Sequence, residues 1–148
     1  MSHLTIPNVH IDRQDYIRLK KIAETARKKR HPAAPFLLSE TRRARVLDDA
    51  PSDAVVGIGR KVSYRVNFGP TLRRLLVLPE NFRDSDRDVS ILSQLGVALL
   101  GLKARDRMPY RDIFGALQFV TVIDVEPAPG FARAENTSGP PDSGPQAA

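Results

Sequence analysis

The 148-residue chain has no cysteine and no tryptophan, and only 6% of its residues are aromatic. Without cysteine there is no disulfide, no thiolate metal site and no cysteine nucleophile. That absence suits a reducing compartment. No apolar run reaches the roughly 18 residues that a membrane-spanning helix needs. The opening residues, M-S-H-L-T-I-P-N-V-H, lack a basic start followed by an apolar core, so no secretory signal is expected. A soluble cytoplasmic protein is the expectation that follows.

Catalytic patterns are missing as well. His3, His10 and His31 show no metal-ligand spacing and no nucleophile beside them. No serine sits in a nucleophile elbow. Asp84, Asp86 and Asp88 alternate like the start of a calcium loop, but Val89 and Leu95 stand where glycine and glutamate are required. Gly57-Ile58-Gly59 lacks the third glycine and the following helix of a dinucleotide loop. No catalytic residue, metal site or cofactor is expected, and the chain does not read as an enzyme.

What is present is positive charge. The net charge is +6, and the excess of lysine and arginine sits in the first third. Such a segment suits nucleic acid or an acidic protein surface, and equally a solvated helix face. Tyr16, Leu19, Ala23 and Ala26, with Ile22 beside them, predict a helix over 11–30 with Asp12 as its N-cap. It ends in Arg27, Lys28, Lys29 and Arg30, cations that suit a helix C-terminus. H-P-A-A-P breaks the pattern, and a second helix is expected over 36–47, with Leu37, Thr41 and Ala44 on one face. So short a connector predicts an antiparallel hairpin. Its stripe is thin, so it must lean on another surface.

Beyond a linker at 48–53 the period becomes two. Strands are expected over 62–68, 73–79, 89–92, 107–111 and 116–125, with Pro109 marking an edge. Val62, Tyr64, Val66 and Phe68 should share one face. Between them, Ser93 to Leu102 reads S-Q-L-G-V-A-L-L-G-L. It should form a short helix packed on the sheet and stopped at Gly101. The residues from 128 are rich in Pro, Gly, Ser and Ala and are expected to be a disordered tail. The domain reading is therefore a hairpin over 1–47, a linker over 48–53, a sheet domain over 54–127 and a tail over 128–148.

The segment at 93–102 resembles the S-P-x-G-x-A-L-L-G stretch in the C-terminal domain of the GreA/GreB transcription elongation factor family. Supporting residues are L-V-L-P at 76–79, the Asp84-Ser85 loop and V-T-V-I-D-V-E at 120–126. The likeness spans roughly residues 10–127. Rnk-like members, named for regulation of nucleoside diphosphate kinase, also set a truncated hairpin before such a domain.

The resemblance implies an α+β fold: a short N-terminal antiparallel helical hairpin, then an FKBP-like twisted antiparallel sheet with one short helix. It implies docking on RNA polymerase at the rim of the secondary channel. Ser93, Gln94, Leu95 and Gly96 would be the docking loop and Asp84 a neighbour. Family hairpins that promote transcript cleavage carry acidic residues at the tip, which hold magnesium. This tip, 28–35, holds none, and Arg27 to Arg30 crowd it with cations. Magnesium needs hard oxygen ligands, so no cleavage activity is expected. Gln94 stands where proline is usual, and D-I-F-G at 112–115 where the family has P-G-G. The alternatives are a nucleic-acid-binding module acting on RNA or DNA through the basic hairpin, or a regulator of nucleoside diphosphate kinase. Prolyl isomerase activity follows from the fold by analogy alone, and the few aromatics argue against it.

Overall fold

Asp12 ends one element and begins the next in the computed structural model, which describes residues 6–48 and 54–126. It closes strand β1 (His10–Asp12) and caps helix α1 (Arg13–Lys28), its carboxylate accepting from the Asp15 amide at 2.8 Å. Leu19, Ala23 and Ala26 form the buried stripe of α1, as their spacing predicts. Helix α2 (Ala34–Arg43) has Pro35 in its first turn, where a missing N–H costs nothing.

The second helix is shorter than expected. It stops at Arg43, and residues 45–47 form strand β2 (Arg45–Leu47), parallel to β1. The cause is non-local. The Arg45 amide donates to the Val9 carbonyl at 2.8 Å, and Ile11 and Val46 lie opposite one another. This pairing sets the entry of α1 beside the exit of α2, so the helices run antiparallel.

The main sheet comprises β3 (Lys61–Val66), β4 (Leu72–Val77), β5 (Asp88–Ser90), β6 (Arg107–Arg111) and β7 (Leu117–Val125). Their order is β5-β4-β3-β7-β6, which puts β6 and Pro109 at an edge. The expected antiparallel sheet is in fact mixed, because β5 pairs parallel to β4. Between them the chain makes a crossover through a 3₁₀ turn (Pro79–Asn81) and a charged loop, not a hairpin.

Val62, Tyr64, Leu76, Val120 and Val122 carry the buried face. Phe68 does not join it. It lies past the end of β3, in the turn, and is exposed. The alternation along β7 is broken too. Ser63 faces Asp124 while Tyr64 faces Val122, so Ile123 is bulged out and exposed. The bulge returns Val125 to the buried side.

Helix α3 (Gln94–Leu99) plugs this sheet with Val97, Ala98 and Leu99, followed by Leu100 and Leu102. Gly101 ends it at φ +77. A Cβ there would lie 2.4 Å from the Val9 side chain and 2.8 Å from the His10 amide nitrogen. The His10 amide donates to the Gly101 carbonyl at 3.0 Å, so β1 sits directly on this turn. One apolar core runs from Leu19, Ala23, Ala33 and Leu37 of the hairpin into Val97 to Leu102 and the sheet. Each fully buried leucine stabilises by about 2 kcal/mol, so the thin hairpin gains its stability here. Most of the expected linker and the whole expected tail lie outside the described residues. Among the described residues, no helix is long and apolar enough to cross a membrane.

Candidate docking site

The segment entering α3 is built from two serines and a glycine. Ser90 ends β5, and its hydroxyl accepts from the Leu92 amide at 3.1 Å. The Ser93 hydroxyl donates to the Ser90 carbonyl at 2.7 Å and accepts from the Gly96 amide at 3.0 Å, capping α3. Gly96 is buried, and a Cβ on it would lie 2.0 Å from the Ser90 carbonyl oxygen. So the four residues expected as a surface docking loop divide. Gly96 is enclosed, while Ser93, Gln94 and Leu95 are partly exposed, Ser93 with its hydroxyl engaged in the cap.

Gln94 reaches the other candidate site. Its side-chain amide donates to the Pro32 carbonyl at 3.2 Å, in the connector of the hairpin. That connector is closely folded. The His31 amide donates to the Ala26 carbonyl at 2.9 Å and the Arg30 amide to the Arg27 carbonyl at 3.0 Å. This is a Schellman stop with Arg30 at φ +59 in the position usually held by glycine. His31 Nδ1 then accepts from the Ala33 amide at 3.0 Å.

Arg27, Lys28, Lys29 and Arg30 are all exposed. Arg27 is paired with Glu24 at 2.9 Å. The other three have no carboxylate within ion-pair distance among the described residues. Asp84 is exposed and turned onto its own loop, accepting from the Asp86 amide at 2.9 Å. Among the described residues, no group of three or more His, Asp or Glu could hold a metal ion.

No family model matches the chain. Two curated relatives, each named regulator of nucleoside diphosphate kinase, come from Escherichia coli (strain K12) and Shigella flexneri. Each is 29% identical over 129 residues, which is 85% of this chain and 94% of the relative. The solved structure of the prokaryotic transcription elongation factor GreA/GreB from Nitrosomonas europaea superposes with a TM-score of 0.63. It is 30% identical and covers 80% of this chain and 98% of its own. The chain belongs to the GreA/GreB family. Within it, it is a distant homologue of the nucleoside diphosphate kinase regulators. By name these relatives are regulators of nucleoside diphosphate kinase.

As a GreA/GreB-family chain it joins in space what its sequence keeps apart. The candidate docking segment and the hairpin connector meet at Gln94 and Pro32. Pro32 was not among the expected site residues, since a carbonyl in a connector leaves no mark in sequence. Two exposed phenylalanines, Phe68 and Phe114, were also missed as surface features. A signal for them exists. Each stands beside a glycine in a turn, where no core is within reach.

Proposed function

We propose that the chain binds RNA polymerase as a transcription regulator of the Rnk/Gre type and does not promote transcript cleavage. The observation that carries this reading is the union of a GreA/GreB-type domain with a hairpin whose connector holds cations and no carboxylate. Gln94, already bonded to Pro32, and Leu95 are partly exposed and would present the docking segment to the rim of the polymerase secondary channel. Magnesium at the tip would need oxygen ligands. The nearest acid on α1, Glu24, is already paired with Arg27, and Glu40 on α2 is buried with Arg43. The α1 helix is also short, about 24 Å at 1.5 Å per residue.

The test is retention of purified core RNA polymerase on the immobilised chain, with Leu95→Asp as the disabled variant. Binding lost in the variant supports the docking role; no retention of polymerase by the wild type removes it. Incubation with backtracked elongation complexes should leave the RNA at its original length.

A second reading has its own observation, the unpaired and exposed Lys28, Lys29 and Arg30. They favour binding of RNA or DNA, with affinity falling steeply as salt rises. Replacing residues 27–30 with alanine should abolish it. The relatives' name suggests a third partner, so nucleoside diphosphate kinase belongs in the same retention experiment.

A further inference from the structure

Phe68, Ile113 and Phe114 are 90%, 83% and 87% exposed, and Leu117 is 50% exposed. They lie at one end of the main sheet. Phe68 tips the turn from β3 to β4; Ile113 and Phe114 tip the turn from β6 to β7, and Leu117 opens β7. Single exposed apolar residues are ordinary on a protein surface. A cluster with two aromatics marks an interaction site.

Hydrogen bonds bind the two turns into one platform. The Asn67 amide donates to the Phe119 carbonyl at 2.7 Å, and its side-chain oxygen accepts from the Phe119 amide at 2.9 Å. Its side-chain amide donates to Gln118 Oε1. Gln118 Nε2 donates in turn to Asp112 Oδ2 at 2.8 Å. Asp112 Oδ1 accepts from the Phe114 and Ala116 amides, both at 2.9 Å. The relay Asn67–Gln118–Asp112 therefore fixes one tip against the other. Preorganised aromatic anchors lose little entropy on binding.

The surroundings set the charge of the partner. Residues 65–72 and 107–121 contain Arg65, Arg107 and Arg111 and a single carboxylate, Asp112, whose two oxygens are both bonded. The Arg107 guanidinium lies 4.7 Å from the centre of the Phe119 ring, and Arg111 donates to the Gly115 carbonyl at 2.9 Å. A partner must bring both apolar side chains and carboxylates. Nucleic acid would satisfy the arginines and leave Ile113 and Leu117 uncovered.

We propose that this end of the sheet is a second protein-docking surface, which seats on an acidic patch of RNA polymerase with apolar side chains set among its carboxylates. It rests on the reading that the chain binds that enzyme. It is separate from the 93–96 segment. Val77 pairs with Ser90 at the far end of β4, where the chain leaves for α3, whereas the turn at 67–70 precedes the start of β4. The two surfaces thus occupy opposite ends of the sheet and can act together.

The experiment measures binding of the labelled full chain to purified core RNA polymerase at low and moderate salt. Phe68→Ser/Phe114→Ser should weaken binding at least about tenfold at both salts, as loss of two buried anchors does. Arg111→Glu should weaken it severalfold, more at low salt than at moderate salt. Wild-type binding that neither variant changes would overturn this surface and leave the first docking reading standing. No wild-type binding would remove both. A dimer in sedimentation that the double variant disperses would give the platform to a second copy of the chain, and would overturn the proposal.

Discussion

Gln94 and Pro32 are 62 positions apart in sequence, and the side-chain amide of one donates to the carbonyl of the other at 3.2 Å. Helix α3 thereby holds the hairpin connector from below. A proline at 94, the residue usual in the family segment, could not make this bond because it has no side-chain donor. The glutamine at 94 thus ties the start of α3 to the hairpin connector.

Removing that link should loosen the connector with little effect on global stability. Gln94→Ala loses one exposed neutral hydrogen bond, about 0.5–1 kcal/mol. Amide exchange at His31 and Ala33 should speed up severalfold, while the β3 and β7 amides keep their rates. Equal exchange at the connector in both proteins would mean that packing of α1 on α2 holds it unaided.

Ser93 and Gly96 should prove structural to different degrees. Ser93→Ala loses the cap of α3 and costs about 1 kcal/mol. In an open helix, Gly96→Ala would gain about 0.5–1 kcal/mol. Here the added carbon falls 2.0 Å from the Ser90 carbonyl oxygen, which is backbone and cannot swing aside. Overpacking costs typically 1–3 kcal/mol, so the net change should be a loss. Urea denaturation of the two variants decides it, and an unchanged midpoint for Gly96→Ala would sink the close packing.

The period-two and period-3.6 patterns reported α1, β3, β4, β6 and β7, and the glycine-closed apolar block at 93–102 reported the short α3. They missed what depends on distant partners. Residues 45–47 look like the end of a helix until Val9 and Ile11 offer them a strand to pair with. The parallel place of β5 comes from a crossover, and no residue type marks it. Ile123 fits a strict alternation, and only its pairing with β3 shows the bulge. At the candidate site, 93–96 and 27–30 were visible as unusual stretches. The bond from Gln94 to Pro32 in the connector was not, because a backbone acceptor has no sequence signature.

Arg30 holds a left-handed conformation at φ +59 that glycine would adopt freely. That geometry costs an L-residue roughly 1–2 kcal/mol, while glycine returns about 0.4–1 kcal/mol of it to the unfolded chain. Arg30→Gly should therefore raise stability by about 0.5–1 kcal/mol and lift the thermal midpoint. Arg30→Asn, also tolerant of this region, should come close to it. If either variant unfolds more easily than wild type, Arg30 is held by its side chain and not strained by its backbone.

Acid should weaken the platform through Asp112. The Gln118 side-chain amide, then the Ala116 and Phe114 amides, hold its carboxyl below the usual carboxylate range. A group with a depressed folded pKa stabilises above its unfolded value and loses that effect as pH falls through the folded one. Asp112→Asn imitates the neutral form. Its thermal midpoint should lie below that of wild type at pH 7, and the gap should close as pH falls below the ordinary aspartate range. A gap that stays constant from pH 7 to pH 2 would rule out the charge as its source.

Glu40 is only 3% exposed, and Arg43 is what makes its burial tolerable. The guanidinium donates to both carboxylate oxygens, at 3.0 and 2.8 Å, and to the Pro7 carbonyl at 2.8 Å. It thereby ties α2 to the segment that leads into β1. Arg43→Met would leave a buried carboxylate unpaired, which costs about 3–5 kcal/mol. Arg43 is itself partly exposed, so water can reach some of the site and the lower figure applies. The double variant Arg43→Met/Glu40→Leu removes both charges and should regain most of the loss, because a well-packed apolar pair can match a buried ion pair. Urea midpoints of the single and double variants separate the two effects. A double variant no more stable than Arg43→Met would show that the bond to Pro7, and not the charge on Glu40, is what Arg43 supplies.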